Sequence, residues 1–163
     1  MTIPRILEKM IAHSQGDLHD IDHLIRVWTY ARLIGQLERL DRETQLVLEI
    51  AAITHDIACP LCREKYGSTD GKLQEAEGMV LVRDFLADAG LTDLQLSRIS
   101  FLVGRHHTYT GVSTREWQIL LEADFIANAA ENGYPKETIQ HFLDTTAKTP
   151  SGKGLIRSVF FPK

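Results

Sequence analysis

The sequence is short of most features that would force an unusual architecture. It has two cysteines in 163 residues, too few for the disulfide framework of a small secreted domain. A chain of this length buries about two-thirds of its unfolded surface, so an apolar core alone is enough to fold it. There are five prolines and no Pro-rich, Gly-rich or repetitive tract, hence no linker, and one domain over residues 1–163 is expected. Aromatic residues make up only 7%, and Trp28, Trp117 and Phe125 read as core rather than as a base-stacking platform. Positive charge is not in excess: 18 Lys and Arg face 22 Asp and Glu, a net charge of −4. That excludes a surface built to coat nucleic-acid polymers or anionic membranes and leaves a small soluble substrate as the default. The N-terminal MTIPRILEKMIAHSQ is interrupted by Arg5, Glu8 and Lys9 and has no signal-peptide cleavage pattern. No apolar run approaches the length of a membrane span. A cytoplasmic protein is expected, with Cys59 and Cys62 reduced. GxSxG, P-loop and GxGxxG patterns are missing, which removes support for serine hydrolase, P-loop kinase and Rossmann readings.

Sustained period-two alternation is missing too, and helical spacing runs through nearly the whole chain. Ile3, Ile6, Leu7, Met10 and Ile11 form one apolar stripe, and Leu24, Val27, Trp28, Ala31, Ile34 and Leu37 form a second. A third helix is expected to open at Asp41 and run up to His55-Asp56-Ile57 before Pro60. Residues 59–71, with Pro60, Gly67, Ser68, Asp70 and Gly71, read as loop. Further helices are expected over 73–89, over 93–107 with Thr92 as N-cap, over 114–131 before Asn132-Gly133, and over 135–146. The result is an all-α bundle of about six or seven helices, with the tail from Thr149 left unassigned.

Against this background the seven histidines stand out, because histidine titrates near neutrality and is the commonest metal ligand. His55 and Asp56 end a helix whose residues Ile50–Thr54 are almost wholly apolar. Burying a carboxylate beside an imidazole costs several kcal/mol of hydration unless another charge compensates, and a divalent cation would accept both groups. Asp124 has the same character inside ILLEADFIANAA. His23 opens an amphipathic helix with Arg26 and Tyr30 on its face. His106 and His107 are adjacent, whereas His13 and His141 read as surface or packing residues, and His19 could reach the cavity rim, though Asp20 and Asp22 beside it read as a solvated N-terminal turn. Nitrogen and carboxylate ligands without thiolates suit Mn, Fe, Co, Ni or Zn. Such an ion turns bound water into hydroxide near neutral pH, which is hydrolase chemistry.

The order H…HD…D, with His23 in HDIDHLIRV, His55-Asp56 in ITHDIA and Asp124 in LLEADFIAN, resembles the HD superfamily of metal-dependent phosphohydrolases over residues 17–130. Among them it resembles the small stand-alone bacterial HD proteins. The resemblance implies a helical bundle in which His23, His55, Asp56 and Asp124 ligate one divalent metal, and a metal-bound water attacks phosphorus, commonly of a nucleotide. Asp56 would also orient or deprotonate that water. Relatives with two metals use extra histidines, one of which typically precedes Gly in a segment equivalent to LQEAEGMVL. Gln74, Glu75 and Glu77 stand there in this chain, so one metal is expected rather than two. Glu75 or Glu77 is then either a substitute oxygen ligand or part of a solvated face. Of His106 and His107, one is assigned to phosphate or a second metal and the other to packing or capping. Arg26 and Arg105 are the candidate phosphate clamps, with a salt bridge to a core carboxylate as the alternative for Arg26. Cys59-Pro-Leu-Cys62 reads as the lip of the site, not as a redox or zinc motif. The rival functions are a dinuclear-iron oxygenase and a nucleotide-binding regulatory domain. A homodimer through Val159-Phe160-Phe161 stays open beside internal packing of that segment.

Overall fold

The computed structural model describes residues 2–163, and among these it is all-α. Nine helices follow one another: α1 (Ile3–His13), α2 (Leu18–Leu37), α3 (Arg42–Thr54), α4 (Cys59–Tyr66), α5 (Gly71–Phe85), α6 (Asp93–Val103), α7 (Arg115–Asn132), α8 (Lys136–Thr145) and α9 (Pro150–Phe160). The expected helical bundle is present, with two more helices than the upper expectation. Both additions lie where proline and glycine suggested irregular chain. Proline occupies the first turn of α4 and of α9, where its missing N–H costs nothing. Gly67 closes α4 in the left-handed conformation at φ 63°, so in residues 59–67 these residues mark the ends of a helix.

The helix starts follow the sequence closely. Asp17, Asp41, Asp70, Thr92, Thr114 and Thr149 each accept a backbone N–H in the first turn of their helices, satisfying donors that have no intrahelical partner. Thr92 and Gln95 complete a reciprocal capping box.

Helix α2 packs most extensively on α7 and α3, and these three form the centre. In α3 every residue from Val47 to Thr54 is buried, and in α7 every residue from Glu116 to Ala127 is buried. Helices apolar nearly all round belong inside a bundle. Within Arg42–Tyr66 an 18-residue window reaches a mean hydropathy of 1.3, enough by composition for a membrane span, yet 72% of that window is buried inside the protein. Phe160 and Phe161 pack on the core, while Val159 is exposed.

The tail is held by one buried acid. Glu122 of α7 is fully buried. Its Oε1 accepts from Gln118 Nε2 (2.8 Å), Lys148 N (2.7 Å) and Thr149 N (3.0 Å), and its Oε2 accepts from Thr149 Oγ1. A Cβ at Gly152 would stand 2.0 Å from Glu122 Oε2 and 2.7 Å from Thr149 Oγ1, whereas one at Gly154 meets nothing within 4 Å. Gly152→Ala should therefore cost about 2–4 kcal/mol through overpacking and lost hydrogen bonds to a buried charge. Gly154→Ala should stabilise by about 0.5–1 kcal/mol. Urea midpoints of the two variants check both signs.

Candidate metal centre

The burial of α3 drives its C-terminal end inward and carries His55 and Asp56 to the middle of the bundle. His55 is fully buried, and its Nδ1 donates to Ala52 O at 2.8 Å. His106, in the turn after α6, is also fully buried and donates from Nδ1 to Val103 O at 2.7 Å. His23 of α2 donates from Nδ1 to Glu131 Oε2 at 2.8 Å. Carbonyls and carboxylates only accept, so each of these Nδ1 atoms carries a proton. All three Nε2 atoms are thereby turned toward the same space.

Two carboxylates complete that space. His23 Nε2 lies 3.1 Å from His55 Nε2, 3.1 Å from Asp124 Oδ1 and 3.4 Å from Asp56 Oδ2. His55 Nε2 lies 3.3 Å from Asp56 Oδ2 and 3.5 Å from Asp124 Oδ1. His23, His55 and Asp56 form one potential ligand set, with Asp124 joined to it through both imidazoles. Asn128, one turn along α7, donates to Asp124 Oδ1 at 2.9 Å and fixes its rotamer. The other oxygen of Asp56 stands 3.3 Å from His106 Nε2, which is buried and completes no hydrogen bond.

The electrostatics show what the cluster of carboxylates and imidazoles requires. Burial pushes His55 down, but Asp56 and Asp124 overcome this and raise its pKa well above the ordinary histidine value. His23 is raised as well: burial opposes the shift, and the hydrogen bond to Asp124 prevails. Burial pushes Asp56 and Asp124 up, but the imidazoles bring both below the usual carboxylate range. Two Nε2 atoms 3.1 Å apart cannot both offer lone pairs without a proton between them, so protons bind where positive charge is required. A divalent cation meets the same need. Donors held at about 2.1 Å from one metal lie about 3.0–3.4 Å apart in octahedral or tetrahedral geometry, and the donor spacings of 3.1–3.5 Å fit this.

The donor order H…HD…D belongs to a known family. A family model described as HD domain matches residues 20–129. The chain belongs to the HD domain family. The crystal structure of a predicted HD superfamily hydrolase from an uncultured Thermotogales bacterium superposes with a TM-score of 0.69 at 21% identity, covering 95% of this chain and 83% of that one. No curated protein matches significantly. Domains of this family bind divalent metals, and the HD chain's histidine and aspartate clusters are compatible with that.

The structure brings His23, His55, Asp56, Asp124 and His106 together but does not bring the two nominated arginines to them. Arg26 is half exposed and lies 3.7 Å from Glu131 Oε1, so it backs the carboxylate that orients His23 and does not pair with Asp56. The Arg105 guanidinium lies over the rings of Phe101 (4.9 Å) and Trp117 (5.9 Å), outside the metal pocket. His107 lines the pocket, but its Nε2 is 3.3 Å from Gln74 Oε1. Gln74 in turn donates to Thr69 O at 2.6 Å. Glu75 accepts from His107 N and Thr108 Oγ1, and Glu77 pairs with Lys65 and Tyr66, so both are committed elsewhere. Asp20 and His19 line the pocket, which corrects the reading of Asp20 as a solvated first-turn residue. His13 is a packing residue: its Nε2 is 2.9 Å from Ile57 O and its ring meets Phe85 edge-on. Cys59 lines the pocket as a buried free thiol, kept protonated by burial and the nearby Asp56.

Glu131 and Arg63 were not found from the sequence. Glu131 had a usable signal, since it lies seven residues after Asp124 and so on the same face of one helix. Arg63 had none, because its segment did not read as a helix.

Two outcomes follow from this HD centre. Glu131→Gln should weaken cobalt or manganese binding by about 10–100-fold while leaving all the proposed ligands in place, measurable by calorimetry. Stability should depend on pH in the metal-free protein. The His55 and His23 contribution is fully present below about pH 6.5 and is lost as pH rises through their raised values. The Asp56 and Asp124 contribution is present above about pH 4 and is lost as pH falls through their lowered values. With EDTA, urea midpoints should peak between these limits and fall on the alkaline side. A saturating divalent metal should flatten that alkaline limb.

Proposed function

We propose that the protein is a cytoplasmic single-domain phosphohydrolase that takes one divalent transition metal, Mn, Fe, Co, Ni or Zn. It acts on a small phosphorylated molecule, a nucleotide or another phosphomonoester, and not on a nucleic-acid polymer or at a membrane. The observation that carries this reading is the convergence of His23 Nε2, His55 Nε2, Asp56 Oδ2 and Asp124 Oδ1 at hydrogen-bond spacing. These four side chains would hold the metal. When bound, the cation supplies positive charge against phosphoryl oxygens and acidifies water.

The chain's own groups do the rest. Asp56 is 22% exposed at its side chain, against 2% for Asp124, so of these two carboxylates that line the cavity it is the more open. It orients or deprotonates water there. Asp124, pinned by Asn128, stays a fixed anion. His107 borders the cavity, and burial beside His106 lowers its pKa, so near neutrality it is an uncharged hydrogen-bond partner.

A second reading, a dinuclear-iron oxygenase, is favoured by the orphaned His106 Nε2, which forms a further cluster with Asp56 and His107. It is opposed by Gln74, which engages one of the two ring nitrogens of His107, Nε2, at 3.3 Å. Elemental analysis and phosphate release from a panel of nucleotides and phosphomonoesters separate the two. The proposal expects one metal per chain and phosphate release that is lost in Asp124→Ala. Two irons per chain with oxygen consumption, or a metal-loaded protein that releases no phosphate, overturns it.

A further inference from the structure

Among the described residues lining the metal pocket, only Arg63 carries a permanent positive charge. It sits on α4, eight residues after His55, and Asp20 of α2 accepts from both of its terminal nitrogens, Nη1 at 3.3 Å and Nη2 more closely. Asp17 Oδ2 adds a contact at 3.6 Å. Asp17 is also the N-cap of α2 and accepts from Asp20 N, so the first turn of α2 is built around this arginine. The side chain remains 41% exposed. A guanidinium has five N–H donors, and the Asp20 fork occupies two, leaving donors for a ligand.

Arg63 also borders a second cavity. The metal pocket has a volume of about 160 Å³, while an outer groove of about 770 Å³ is lined by the same arginine together with Pro60, Leu61 and Leu81. Pockets that enclose a whole small molecule hold about 300–1,000 Å³, so the inner one has room for a phosphoryl group beside a cation but not for a nucleoside. A substrate therefore enters by its anionic end, and the rest of it stays beyond Arg63.

We propose that Arg63 is the residue that grips the phosphoryl oxygens of the substrate, at the point where the metal pocket opens into the outer groove. This rests on the phosphohydrolase reading above. Asp20 holds the long side chain in place before the ligand arrives, which removes the entropy cost of ordering it on binding. The remaining N–H donors, fixed in the guanidinium plane, then meet the phosphoryl oxygens, a geometry that lysine cannot reproduce.

The test uses the full metal-loaded chain as wild type, Arg63→Ala, Arg63→Lys and, as a control, Arg5→Ala, which alters an exposed ion pair with Glu8. Inorganic phosphate, the product, is titrated by calorimetry, and KM and kcat are measured on whichever panel compound releases phosphate. Arg63→Ala should weaken phosphate binding by about 10–100-fold and raise KM by a comparable factor, with the bound metal unchanged. Arg63→Lys should recover only part of this, and Arg5→Ala should match wild type. If Arg63→Ala lowers only the melting temperature and leaves phosphate affinity and KM intact, Arg63 is a latch between α2 and α4 and the proposal falls. If wild type itself neither binds nor releases phosphate, the phosphohydrolase reading falls with it. Should Arg63→Ala not fold, Arg63→Lys decides by the same two ratios.

Discussion

Asp56 and Asp124 are ionised carboxylates in the middle of a helical bundle, and the central packing accommodates them. Among the described residues, the ion-pair partners of both are histidines, not arginine or lysine. Their hydration is replaced by imidazole nitrogens, and imidazoles serve only if their orientation is fixed. That is the work of three Nδ1 hydrogen bonds, to Ala52 O, Val103 O and Glu131. Two of the three acceptors are carbonyls three residues back in the chain, available because α3 and α6 both end there. A histidine within a helix would find that carbonyl engaged in the helical ladder, so the ends of α3 and α6 must meet at the site.

This explains why some of the site was legible in the sequence and some was not. His55-Asp56 and Asp124 stood out because polar groups in apolar helices violate the burial pattern, and the violation is local. Helix starts at Asp41, Thr92 and Thr114 were equally readable, since a cap is chemistry within four residues. Arg63 was hidden by a proline and a glycine that mark the ends of α4 but look like a loop. Helical spacing places Arg26 near His23, and its side chain meets Glu131, not Asp56. Spacing constrains which face a residue occupies but not which of two carboxylates on neighbouring helices it meets.

Gln74 shows the same limit from another side. As a residue type it is an ordinary surface amide, and nothing around it in sequence marks it as buried. In the fold it is buried and bridges Thr69 O to His107, so it sets the role of a histidine 33 residues away. The acceptor that His107 meets depends on how α5 packs on α6, which is a tertiary fact.

Helix α7 holds the most instructive comparison, because Glu122 and Asp124 are two residues apart, both fully or nearly fully buried, and chemically alike. Two residues on a helix turn the side chains about 200° apart, so the two acids face opposite sides. Glu122 meets four donors from amides and a hydroxyl, all of them fixed parts of the chain. It needs nothing from solution, and its effect is to hold the start of α9. Asp124 meets imidazoles whose donating protons come and go with pH, and one amide from Asn128. Its charge is balanced only when a proton or a cation is taken up from outside. A buried acid satisfied by backbone and amide donors is a structural element, whereas one satisfied by titratable donors is a site, and this criterion separates the two carboxylates of α7 where burial and residue type do not.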